Sequence, residues 1–109
     1  MLTPLQNLQH RSKLLRDKAR EDQRIVMRNI TMRFAVSGVN AKGEREFIGW
    51  YGWYCETKIR LLDILRVVGN LGFEDVTYTL WFTCQYAPHD DYLPHEDVTD
   101  LVRTINLGK

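Results

Sequence analysis

The stretch from Thr57 to Leu71, TKIRLLDILRVVGNL, constrains the fold more than any other. Ile59, Leu61, Leu62, Ile64, Leu65, Val67, Val68 and Leu71 are apolar, while Glu56, Arg60, Asp63, Arg66 and Asn70 recur three or four residues apart. On a helix the polar side chains therefore form one narrow stripe. A surface helix usually keeps about 100° of apolar arc. This one has more, and is expected to be covered on more than one side. It is a packing element without a reactive group, so function has to be sought on the surface it leaves over.

At 109 residues the chain is expected to be a single domain, 1–109, with one core and little to spare. Its parts are a basic N-terminal helix (1–24), a ββαβ core (25–86), and an acidic loop with a C-terminal helix (87–109). No apolar run approaches the roughly 20 residues of a membrane span. The start of the chain lacks a basic region followed by an apolar one, so a cytoplasmic protein with no membrane partner is expected. Cys55 and Cys84 are too few for a disulfide framework, and two free, partly buried thiols are expected.

A net charge of +1 hides an asymmetry. Residues 1–24 carry Arg11, Lys13, Arg16, Lys18, Arg20 and Arg24 against three acids, whereas residues 88–100 carry Asp90, Asp91, Glu96, Asp97 and Asp100 with no base. Opposite ends of the chain should attract each other, within one molecule or between two.

Thr3-Pro4 is a helix start, with Thr as cap and Pro where a missing N–H costs nothing. From Leu5 to about Arg24 the residues are good helix formers. Leu5, Leu8, Leu15, Ala19 and Val26 make a thin apolar seam that Ser12 and Asp22 interrupt. A helix so thinly apolar must dock on something to be stable.

From Ile25 the period changes to two. Val26, Ile30, Met32, Phe34 and Val36 alternate with polar or small residues, which predicts a half-buried strand. Asn40-Ala41-Lys42-Gly43-Glu44 predicts a three-residue hairpin loop closed by glycine in the left-handed region. That loop sets the register: Val36 with Ile48, Phe34 with Trp50, Met32 with Gly52 and Ile30 with Tyr54 on the core face. Phe47, Tyr51 and Trp53 then share the other face with Thr31 and Arg33. Gly69, Asn70 and Gly72 end the central helix. The run 76–84 predicts a third strand, with Val76, Tyr78, Leu80, Phe82 and Cys84 inward and Trp81 outward. His95-Glu96-Asp97 is read as the opening of a short helix through Ile105, ended by Gly108.

The fold class is therefore α+β, a small two- or three-layer sandwich of order α-β-β-α-β-α. Its three-stranded sheet has the order 3-1-2, with strand three reached by a right-handed crossover and parallel to strand two. Either the N-terminal helix lies across the aromatic sheet face as a third layer, or that face is free.

Phe47, Tyr51, Trp53 and Trp81 with Arg33 are the expected partner-binding residues, because a contiguous aromatic patch on a polar face usually marks an interface. The leading reading is a non-catalytic protein–protein interaction module, an adaptor or stoichiometric inhibitor that also uses the N-terminal helix and self-associates as a homodimer. The alternative is a single-stranded nucleic-acid-binding protein. There the same rings stack bases and Arg11, Lys13, Arg16, Lys18 and Arg20 approach phosphates. Near-neutral charge favours the first.

Catalysis finds little support, and no cofactor is expected. The glycines match neither a phosphate loop nor a dinucleotide fingerprint, and there is no nucleophile elbow. Cys84-x4-His89-x5-His95, with Asp90, Asp91 and Cys55 nearby, offers zinc-type ligands at spacings that fit no common site. It is read as an acidic surface loop, and no metal is assigned.

Overall fold

A computed structural model describes residues 1–21, 30–84 and 93–107. Helix α1 spans Pro4–Glu21, strand β1 Ile30–Val39, β2 Arg45–Gly52, helix α2 Lys58–Gly69, β3 Glu74–Cys84, β4 His95–Asp97 and helix α3 Thr99–Leu107. Residues 22–29, which hold the expected end of the first helix and Val26, lie outside the described residues, as do the loop residues 85–92 and Gly108.

Local chemistry explains the boundaries. The Thr3 hydroxyl accepts the Gln6 N–H at 3.1 Å while the Gln6 side chain accepts the Thr3 N–H at 3.0 Å, a reciprocal cap at the start of α1. Thr57 caps α2 through the Arg60 N–H at 3.2 Å. At the hairpin, Gly43 has φ +80°, its N–H reaches the Asn40 carbonyl at 3.0 Å, and the Asn40 N–H reaches the Glu44 carbonyl at 2.8 Å. The glycine-closed loop is thus present as read.

The sheet has the order β2-β1-β3-β4, every neighbouring pair antiparallel, so β3 runs parallel to β2 as expected. The fourth strand corrects the sequence reading: His95-Glu96-Asp97 pairs with Thr79-Leu80-Trp81 and does not open a helix. Instead Asp97 stands just before α3 and accepts the Thr99 N–H at 2.9 Å. The Thr99 hydroxyl in turn accepts the Tyr78 N–H at 2.9 Å, and so closes the backbone of β3 where β4 ends.

The register of β2 is the larger correction. The first three pairs from the turn, Val39–Arg45, Gly38–Glu46 and Ser37–Phe47, are those the loop dictates. A bulge follows at Ile48, and from there Val36 faces Gly49, Ala35 faces Trp50, Phe34 faces Tyr51 and Arg33 faces Gly52. One extra residue turns every later side chain to the opposite face. Trp53 and Tyr51 therefore point to the core and Trp50 to the other side. Trp53 has no exposed surface, its ring lies 5.4 Å from that of Phe34, and its indole N–H is satisfied by the Thr57 carbonyl at 3.0 Å.

All three helices lie on one face. Met32, Phe34, Val36, Tyr78, Leu80 and Phe82 from the sheet form one cluster with Leu8, Leu15 and Ala19 of α1, Leu61, Ile64, Leu65 and Val68 of α2, and Val102 and Ile105 of α3. The shortest extent is 18 Å, room for one helical layer of about 10 Å on one sheet. So α1 does not cross the aromatic face, and the described residues form two layers. Helix α2 also departs from expectation: its buried residues make one ordinary stripe, and Ile59 is 82 % exposed. Among the described residues no helix is long and apolar enough to cross a membrane.

Candidate interaction face

The sheet face away from the helices is built from alternate residues of four strands. Strand β1 supplies Thr31, Arg33, Ala35 and Ser37; β3 supplies Thr77, Thr79 and Trp81; β2 supplies Phe47 and Trp50; β4 supplies His95 and Asp97. The bulge makes Phe47 and Trp50, three apart in sequence, neighbours on this face with ring centroids 5.8 Å apart. Trp50 then meets Trp81 edge-on at 5.8 Å, reaching diagonally over the small Ala35 and Thr79. Trp81 in turn stacks on His95 at 3.9 Å with planes 14° apart. The result is one row of rings running from β2 to β4 across the sheet.

A fifth ring joins it. Gly52 faces Arg33 on this side, and a Cβ placed on Gly52 would lie 2.2 Å from the Tyr54 ring. Tyr54 therefore folds back over Gly52, where a side chain would otherwise stand, and remains 63 % exposed. Arg33 sits in this row between Gly52, with its tyrosine lid, and Trp81. Phe47, at the other end, is 48 % exposed.

Of the expected partner-binding residues, Arg33, Phe47 and Trp81 come together here. Tyr51 and Trp53 do not: the bulge carries both to the core, where Tyr51 packs against the buried cluster. Trp50, Tyr54 and His95 take part although the regular register placed the first two inside. The signal was in FIGWYGWY itself, since a glycine inside a strand pattern marks a bulge.

The basic residues of α1 belong to the opposite layer. Arg16 and Ser12 both bond the Glu56 carboxylate, and the Glu56 carbonyl accepts from Gln9 at 3.0 Å. Ser12 is thus a buried part of the α1 seam, not an interruption of it. Arg11 pairs with Glu96 at 3.6 Å, one contact between the basic start and the acidic end of the chain. Lys13, Lys18 and Arg20 are exposed.

The expected zinc-type ligands are not assembled among the described residues, which hold no group of three His, Cys, Asp or Glu suited to a metal. His95 is committed to Trp81, with its Nδ1 2.9 Å from the Leu93 carbonyl. His89, Asp90, Asp91 and the Cys84 side chain lie outside the described residues. Cys55 is free and exposed, not partly buried as read, and its bond to the Thr57 hydroxyl holds the thiol below its ordinary pKa.

Fold and face together define a two-layer α/β sandwich with one helix-covered and one aromatic sheet face. Comparison with protein-family models, with curated proteins and with solved structures finds no match to this chain.

Proposed function

We propose that this protein is a non-catalytic interaction module that receives another protein on the open face of its sheet. The observation that carries this reading is the row Phe47–Trp50–Trp81–His95, with Tyr54 beside it, on the side away from all three helices. Rings of this size contribute large apolar area at small cost in side-chain entropy, which is why they dominate protein interfaces. Threonines around them supply a polar rim. Helix α1 serves the fold in this reading, covering the opposite side, and the module is an adaptor or inhibitor by virtue of what it holds. Nucleic-acid binding has weaker support, because the cations of α1 lie on the helical layer and Arg11 and Arg16 already face carboxylates.

The test is retention of proteins from host lysate by immobilised wild type, by Phe47→Ser/Trp81→Ser, and by Ile59→Ser as a surface control on α2. Proteins kept by wild type and by the control but lost by the double variant, with unchanged circular dichroism, are the expected result. Equal retention by all three overturns the assignment.

A further inference from the structure

Six of the eight arginines among the described residues pair with a carboxylate. Four of the eight are half-buried, Arg11, Arg16, Arg33 and Arg60, and three of these face a carboxylate: Glu96, Glu56 and Asp63. The Nε of Arg33, like that of Arg11, is closed off from solvent without a hydrogen-bond acceptor, but no carboxylate of the described residues pairs with Arg33, which stands in the middle of the sheet face away from the helices. A desolvated guanidinium donor left without a partner is costly, and native proteins leave few such groups unexplained.

The surroundings of Arg33 narrow what would complete it. On one side is the Tyr54 ring over Gly52, on the other Trp81 with His95 stacked on it. An acceptor arriving here comes flanked by apolar or planar groups. A nucleic-acid backbone repeats its charge at every nucleotide and calls for a track of cations. Around Arg33 the described neighbours are instead threonine, alanine and rings, with Asp97 one row away on β4. One guanidinium among rings matches one carboxylate, taken end-on through its terminal N–H groups, since the Nε is closed off.

We propose that Arg33 receives an aspartate or glutamate of the protein partner, and that the apolar residues flanking that acid settle on Trp81 and Tyr54. This rests on the reading that the face binds a protein, and it adds which kind of segment is bound.

The probe is a phage-displayed library of random 12-residue peptides selected on the full chain, with the best peptides resynthesised and measured by fluorescence anisotropy. Expected are peptides with an Asp or Glu between apolar residues, weakened about tenfold or more by Arg33→Gln and less by Arg33→Lys, which keeps the charge but loses the fork. Trp81→Ser should weaken them too. Both Arg33 variants must keep the wild-type melting temperature, since the side chain faces away from the core.

Peptides sensitive to Trp81→Ser but indifferent to Arg33→Gln would sink the carboxylate and leave the interaction face standing. Peptides indifferent to both, or a library that yields no binder at all, would remove both. Salt-sensitive binding of an oligothymidylate that Arg33→Gln abolishes would transfer the site to nucleic acid. A dimer in light scattering that the same variant dissolves would transfer it to a second copy. Either result overturns the proposal.

Discussion

Trp50 and Trp53 are three residues apart and have opposite duties. Trp53 is sealed in the core with its indole N–H bonded, whereas Trp50 lies in the ring row of the open face. Trp53→Ala should cost about 3–5 kcal/mol, a large part of the roughly 5–15 kcal/mol that holds a small domain together. Trp81→Ser, half-buried on the other face with two ring contacts, should cost less, about 1–2 kcal/mol. Urea titrations of both variants check this, and equal losses would show that the two sides of the sheet had been misassigned. Tyr78 adds a pH signature. Burial, helped by Tyr51 and opposed by Arg103, raises its phenol from 10.0 to about 12. A phenol whose folded pKa is raised leaves stability intact below the unfolded value and lowers it as pH climbs through the gap. Stability should therefore fall between pH 10 and about 12, and Tyr78→Phe should flatten that fall in thermal melts across the range.

At the scale of elements, what could be read was what depends on near neighbours. The cap of α1, the end of α2 at Gly69 and Asn70, the glycine-closed loop and the alternation of β1 and β3 are local chemistry, and they hold. Strand β2 could not be completed from its loop, because register carries along a ladder only until a residue leaves it. Ile48 leaves it: its Cδ1 would be 3.2 Å from a Cβ on Gly38, so it fills space above that glycine while Gly49 takes its place opposite Val36. Two of the five expected partner-binding residues were lost at this one step. Strand β4, three residues long, has too little pattern to be told from a helix start. If the bulge is one spare residue, deleting Ile48 restores an unbroken ladder and keeps Tyr51 and Trp53 inward. The deletion variant should fold cooperatively, melt a few degrees lower, and retain the near-ultraviolet circular dichroism of the tryptophan pair. A molten or aggregated product would show that both residues of the bulge are required.

For the molecule as a whole, the partition between covered and uncovered surface decides what is on offer. The expectation that α2 would be wrapped on several sides failed because α1 and α3 lie beside it on the same sheet face instead of over it, and Ile59 and Leu71 remain exposed. Whether the long basic helix would shield the sheet could not be decided from its seam, since Leu8, Leu15 and Ala19 suit either side equally well. Glu56 is part of what decides it: with φ +53° at the turn into α2, it presents its carboxylate to Ser12 and Arg16 and its carbonyl to Gln9. No pattern of hydrophobic spacing records a long-range tie of that kind.

The kink at Ile48 has one more effect, because β2 is the border of the sheet. A foreign strand laid along that border meets an evenly spaced set of amide groups for only a few residues before the spacing breaks. Pairing of a foreign strand along this edge is thereby hindered beyond its first few residues.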